Sequence, residues 1–251
     1  MGLTLRAFAK LNLDLQVLSR RPDGQHEIRT TFQAVSLHDL LHVEAATATS
    51  LEVRGLAGCT PDDNLVLQAA AELEHEVGRA LPARWLLEKR IPAGAGLGGG
   101  SSDAAAALRS LSLLHGLHVD LGPVAERLGA DVPFFLRGGA ALGEGRGNLL
   151  SPRPVLPVCF GIAWPGFTLP TAAVYAAWDE HPGGGENQLQ EAAFEVEPEL
   201  RKFARRLGPR WRMTGSGSAF FAPFDDARSA EAACSVLDCW TAVAEAVEAW
   251  A

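Results

Sequence analysis

The segment Pro92–Ser102 reads PAGAGLGGGSS, with glycine at five of the seven positions from 94 to 100 and two serines close behind. A helix cap needs one or two glycines, so this density calls for another explanation. Glycine accepts positive φ values and lets backbone approach a bound group closely. Successive N–H groups at the start of a helix form an anion-binding concavity. Ser101 and Ser102 add two hydroxyls suited to phosphate oxygens. The stretch Pro92, Ala93, Gly94, Ala95, Gly96, Leu97, Gly98, Gly99, Gly100, Ser101 and Ser102 is therefore expected to hold a polyphosphate. The competing role is a tightly packed turn with Ser or Asp capping the helix.

Two other phosphate loops fit less well. No Gly-Lys-Ser/Thr follows the glycines, which excludes a Walker A loop. Gly94-x-Gly96-x-x-Gly99 has the dinucleotide spacing, and Asp120 follows at about 20 residues. The preceding WLLEKRIP, however, carries Glu88, Lys89 and Arg90 where a buried parallel strand is apolar. A second chemical hint is the scarcity of lysine. Of 22 basic residues only Lys10, Lys89 and Lys202 are lysines, so each marks a place where a compact ammonium could matter more than a planar guanidinium.

The elements that must position the loop follow from periodicity. LTLRAFAKLNLDLQVL alternates as a strand, SRRPDGQHE is a turn, and TTFQAVSL, DLLHVEAA and LEVRG read as three further strands. DNLVLQAAAELEHEVG has helical spacing, with Asp62 or Asp63 as N-cap and Gly78 near its end. ARWLLEKRIP is a strand that delivers the chain to the glycine loop, and the alanine-rich SDAAAALRSLSLLHG is a helix on which a neighbour can pack closely. DLGPVAERLG is another helix, and GGAALGEGRGN a turn-rich hairpin. Prolines cluster in LLSPRPVLP, placing a boundary between domains 1–150 and 151–251. Strands near CFGIAWP and SAFFAPF follow, with helices between them and at the end. Strands run together before the helices, so the fold class is α+β rather than doubly wound α/β.

Bulk properties narrow the class. A chain of 251 residues with 47% hydrophobic residues buries a real core. A net charge of −8 opposes general nucleic-acid binding, while leaving a nucleotide site open. The N-terminal stretch lacks the apolar core of a signal peptide, and no apolar run is long enough to span a bilayer. Cys59, Cys159, Cys234 and Cys239 show no metal or disulfide spacing. A cytoplasmic protein without membrane or nucleic-acid partners is expected.

PAGAGLGGGSSDAAAAL resembles the phosphate loop of the GHMP kinases. AFAKLNLDLQVLSRRPDGQHEIRTTFQAVSLHD and LGADVPFFLRGGAALGEGRGN are similar to the branch that phosphorylates 4-diphosphocytidyl-2-C-methyl-D-erythritol, and MTGSGSAFFAPF to the third, glycine-containing motif. The likeness covers most of the chain and is weakest over 178–210 and the last twenty residues. It implies a two-domain α+β fold with the active site between the domains, ATP with Mg²⁺ as cofactors, and a small-molecule cytidyl-diphosphate acceptor. Another small-molecule kinase of the superfamily, or a non-catalytic ATP-binding regulator on the same fold, are the alternatives.

Carried onto this chain, the resemblance makes Asp131 the catalytic carboxylate and Lys10 its partner. It places Asn12 and His26 at the acceptor, and Asn64 and Lys89 near the adenine. Thr171 and Tyr175, the chain's one tyrosine, fall in the segment that presents a ring to cytosine. Gly215, Ser216 and Gly217 would close over phosphate oxygens. The competing roles are an N-cap for Asp131, an outward-facing strand lysine for Lys10, an exposed loop histidine for His26, a core aromatic for Tyr175 and a tight hairpin for 215–217. Gln25 stands where the branch usually has an aromatic, which removes one face of an aromatic sandwich around the base.

Overall fold

The computed structural model describes residues 2–56 and 64–249. Two sheets organise it. The first is built on one long strand, and the chain reaches it through β1 (Gly2–Asn12), β2 (Gln16–Arg20), β3 (His26–Ala45) and β4 (Ser50–Gly55). After α1 (Leu65–Val77) come β5 (Ala83–Lys89), α2 (Gly99–Leu114), α3 (Gly122–Leu128) and α4 (Val132–Arg137). The hairpin of β6 (Ala140–Glu144) and β7 (Leu149–Arg153) completes this sheet. Its order is β4-β5-β3-β6-β7, with β1 and β2 also paired to β3, and only β4–β5 runs parallel.

The second sheet has the order β11-β8-β10-β9 and is antiparallel throughout. It comprises β8 (Cys159–Trp164), β9 (Arg212–Met213), β10 (Phe220–Phe224) and β11 (Trp240–Glu245). The helices α5 (Thr171–Glu180), α6 (Gln190–Val196) and α7 (Pro198–Leu207) lie between β8 and β9, and α8 (Ala227–Ser235) precedes β11.

The two expected strands TTFQAVSL and DLLHVEAA are one strand of 20 residues. Polar Ser36, His38 and Asp39 suggest a break, yet Asp39 is fully buried and anchored, so the strand runs through. On α1, Val66, Ala69, Ala70 and Leu73 form one buried face at helical spacing. The N-cap is Asn64, whose Oδ1 accepts from Val66 N at 3.0 Å; Asp62 and Asp63 lie outside the described residues. Gly78 takes the left-handed conformation at its C-cap, as the sequence implied. Ala104–Ala107 of α2 are all buried among α1, α4 and β1, a contact that only small side chains permit.

The division at residue 150 falls inside β7, which belongs to the first sheet; the sheets part between Arg153 and Cys159. A final strand, rather than only helix, ends the second sheet. Backbone bonds join the two sheets on two sides. Leu15 pairs with Glu186–Gln188 (Leu15 N to Glu186 O 2.8 Å, Gln188 N to Leu15 O 2.9 Å). Beyond β11, Val247 N donates to Ala34 O at 2.9 Å, with bridges Val35–Ala246 and Gly138–Ala249. Leu15, Val17 and Ile28 pack in one core with Leu169, Val174 and Leu189, so the β2–β3 hairpin leans on the second layer. Among the described residues no helix is long and apolar enough to cross a membrane.

Candidate active site

A cavity of about 790 Å³ opens where the glycine loop, the start of β3, α4, α5 and the 215–217 turn meet. The loop is laid down like a short strand. Leu97 O accepts from Lys10 N at 3.0 Å on one side, and Ala95 O accepts from Ala219 N at 3.0 Å on the other. Two glycines are required by this path. Gly96 has φ +79°, and a Cβ there would collide with the carbonyl of Thr214; Gly98 has φ +73°, and a Cβ there would lie 2.6 Å from Phe135 Cζ. Gly98 is the N-cap of α2, which has no side-chain cap, so its first-turn N–H groups remain available to a ligand. No Ser or Asp side chain caps the helix, while the tight packing of the alternative reading is present at Gly96 and Gly98.

Lys10 and Asp131 meet beside this loop. Lys10 Nζ donates to Asn12 Oδ1 at 2.5 Å and to Gly96 O at 2.8 Å, and lies 3.5 Å from Asp131 Oδ2. Burial holds the ammonium's pKa below the usual lysine value, while Asp131 opposes that shift. Asp131 occupies the N-cap position of α4 but makes no capping bond; its side chain, about one third exposed, faces the cavity instead. Asn12 is buried and fully engaged: N to Thr214 Oγ1 2.8 Å, Nδ2 to Thr30 Oγ1 2.8 Å.

Also in the cavity lining, His26 and Tyr175 stack on each other, centroids 4.7 Å apart and planes 22° apart. His26 Nε2 is 2.7 Å from Asp179 Oδ1, and the Trp178 ring meets the imidazole edge-on at 5.9 Å. Burial, with Asp131 adding to it, pushes the Tyr175 hydroxyl well above the usual phenol range. The two rings lie one against the other, too close to be two walls of a slot, and His26 is not the exposed loop residue the sequence allowed. Gln25 lies at the cavity edge with its Oε1 accepting from Arg146 Nη1 at 3.2 Å. Thr171 and Ser216, both lining the mouth, share a hydroxyl bond of 2.9 Å.

Most of the expected site residues converge here. Lys10, Asn12, His26, Asp131, Thr171 and Tyr175 line the cavity, as do Gly215, Ser216 and Gly217. From the glycine loop, Pro92–Gly96 and Gly98–Ser101 do so, whereas Leu97 and Ser102 are buried in the protein beneath. Lys89 needs correction. Its ammonium is enclosed between Asp39 and Asp103 (2.6 Å to Asp103 Oδ2), underneath the first residue of α2, and does not line the cavity. Burial alone would lower its pKa; Asp103 and Asp39 outweigh that and raise it. Asn64 likewise serves as a cap, and the adjacent Leu65 is the residue that reaches the cavity.

The sequence reading passed over Asp179, Arg20 and Arg146, all in the lining. Asp179 had a usable signal: it stands four residues after Tyr175 on one helix and so shares its face. Arg20, 3.5 Å from Asp179, and Arg146, on the β6–β7 turn, are brought in only by tertiary structure.

Residues 64–139 match the model for the GHMP kinases N terminal domain, a segment that contains the glycine loop and Asp131. Relatives named 4-diphosphocytidyl-2-C-methyl-D-erythritol kinase match nearly the whole chain. The one from Ralstonia nicotianae is 40% identical over 89% of this chain and 86% of its own. The one from Thermus thermophilus is 41% identical over 92% and 91%. A crystal structure of 4-(cytidine 5'-diphospho)-2C-methyl-D-erythritol kinase superposes with a TM-score of 0.80 at 39% identity, covering 97% of this chain and 99% of the other. The chain belongs to the 4-diphosphocytidyl-2-C-methyl-D-erythritol kinase family.

Proposed function

We propose that this protein transfers the γ-phosphoryl group of ATP to the 2-hydroxyl of 4-diphosphocytidyl-2-C-methyl-D-erythritol. The observation that carries the reading is the Lys10–Asp131 pair, set in one cavity with an uncapped glycine loop and an aromatic stack. A polyphosphate on the loop amides and a cytidyl group at the His26–Tyr175 stack bring both reactants to that pair.

Phosphoryl transfer depends on positioning and charge neutralisation. Asp131 is placed to accept the proton of the acceptor hydroxyl. The freed oxygen forms a bond to the γ-phosphorus as the bond from that phosphorus to the β–γ bridging oxygen breaks, and ADP leaves with the electron pair. Lys10, fixed by Asn12 and Gly96 O, offsets negative charge spreading over the phosphoryl oxygens. Loop amides hold the remaining phosphates.

Mg²⁺ fits as a companion of the nucleotide. Among the described residues no cluster of three or more His, Cys, Asp or Glu forms a cage, and Asp131 and Asp179 are the carboxylates in the cavity lining. An ion that prefers phosphate oxygens and water needs little more than such a donor, and when bound it neutralises phosphate charge. Free, scattered thiols at Cys159, Cys234 and Cys239 suit a reducing cytoplasm.

ADP release with Mg·ATP and a panel of acceptors tests the reading. Turnover with the cytidyl-diphosphate methylerythritol, and none with methylerythritol phosphate, mevalonate, homoserine or galactose, is expected. Turnover with one of the others instead would overturn the acceptor. ATP binding without turnover on any would overturn catalysis.

A further inference from the structure

The turn formed by Thr214–Gly217 is pressed against the reacting groups. A Cβ placed on Gly215 would lie 3.2 Å from Asn12 Oδ1 and Gly96 O and 3.3 Å from Lys10 Nζ. Within the turn Gly217 N donates to Thr214 O at 3.1 Å. The Gly215 carbonyl is held from behind, by a residue outside the lining: Asn187.

Asn187 is buried, and every hydrogen-bonding group of its side chain is engaged. Nδ2 donates to Met213 O and to Gly215 O, both at 2.9 Å, and Oδ1 accepts from Leu189 N at 3.0 Å, where α6 begins. Its flanks are fixed to the first sheet. Leu15 N bonds Glu186 O, Gln188 N bonds Leu15 O, and Val17 N donates to Gln188 Oε1 at 2.9 Å. The amide is therefore a fork anchored to β2 and α6 at once, with one hydrogen on the Gly215 carbonyl of the turn and the other on the Met213 carbonyl of β9.

The geometry of the peptide unit gives this fork a consequence. In a trans peptide the C=O and the following N–H point to opposite sides. Drawing the Gly215 carbonyl back onto Asn187 turns the Ser216 N–H away from Asn187, to the side where Gly215, Ser216 and Gly217 line the cavity. We propose that Asn187 is a positioning residue that aims the Ser216 amide at a phosphoryl oxygen in the reaction, opposite the donors of the glycine loop. It acts through the turn and touches no substrate. The proposal rests on the kinase reading above.

Asn187→Ala removes the fork, and Asn187→Asp keeps the acceptor for Leu189 N while setting a carboxylate against two carbonyls. Both are expected to lower kcat by about 10–100-fold, the loss typical of a misplaced group, at a temperature well below each variant's Tm. Affinity for the β,γ-methylene analogue of ATP, held by the other loop, should be unchanged. A variant that stays folded, loses some Tm and keeps wild-type kcat would show a merely structural role and overturn the proposal. Should neither variant fold, the wild type supplies the test. Addition of the methylene analogue with acceptor should shift the Ser216 amide resonance, and an unmoved resonance under saturation overturns the idea. The kinase reading is judged separately, by wild-type turnover; if another acceptor proves to be the substrate, the same variants are assayed with it.

Discussion

Lys10 Nζ lies 3.5 Å from Asp131 Oδ2, with the ammonium buried and the carboxylate open to the cavity. The asymmetry separates their duties. A buried cation held by Asn12 and Gly96 O cannot leave its post, whereas the more exposed carboxylate can meet a ligand. Asp131→Asn should lower kcat by about 10²–10⁴-fold, the usual contribution of a positioned base. ATP binding should persist because the loop amides are untouched. Calorimetric titration with the methylene ATP analogue, beside steady-state kinetics, checks both halves; equal loss of nucleotide affinity would contradict the assignment.

The His26–Tyr175 stack predicts a different kinetic signature. Tyr175→Ala deletes one ring of a stack, a contact worth about 0.5–1.5 kcal/mol. KM for the cytidyl acceptor should therefore rise up to about tenfold, with kcat nearly constant. Tyr175→Phe keeps the ring and should leave KM unaltered. A drop in kcat without a change in KM would place the ring elsewhere in the reaction.

Asp103 predicts a pH effect on stability. Burial, with Asp39 adding like charge and Lys89 opposing both, raises its pKa from 3.8 to about 8. Its Oδ1 is buried without a hydrogen-bond partner, which costs less on a neutral acid than on a carboxylate. Between pH 4 and 8 the native state thus holds a proton that the unfolded chain has released. Stability is full below the unfolded value and falls as pH rises through the folded one, by up to about 1.4 kcal/mol per pH unit for one proton. Asp103→Asn should flatten that slope in denaturant midpoints measured from pH 5 to 8. Lys89→Met, which leaves the buried Asp39 carboxylate without its cation, should lower stability by about 3–5 kcal/mol.

How much of this was legible beforehand varies with the physics involved. The glycine loop was, because five glycines in seven residues have few other uses. The helix α1 was, because its periodicity is local, and α2 was through its run of alanines. Lys89 was misread because sequence shows a lysine before a phosphate loop but not the two acids, 50 residues before it and 14 after it, that enclose it. The break assumed in β3 failed for the same reason: Asp39 reads as solvent-facing until its backbone partners, Arg90 N and Ile91 N, arrive from the segment just after β5. Asn187, in the stretch of weakest likeness, carried no local signal at all.

The loop glycines differ in what they tolerate. Gly96→Ala forces positive φ on a side chain, costing about 1–2 kcal/mol, and drives a methyl into the Thr214 carbonyl. Tm and kcat/KM should both fall. Gly100→Ala is the contrast: it sits in α2, where a Cβ would meet only Leu65 Cδ1 at 3.4 Å. Its Tm should hold or rise, since alanine in a helix is better than glycine by about 0.5–1 kcal/mol. Thermal melts of the two variants side by side decide the point.

The two sheets are tied together at Leu15–Gln188 on one side and Ala34–Val247 on another, and the cavity opens between loops and helices that they carry. Sheets sewn at both seams cannot swing apart as leaves on a hinge without breaking backbone hydrogen bonds. Entry of two reactants and exit of two products must then be served by small parts at the rim, such as the turn carrying Arg146 and the Thr171–Ser216 latch.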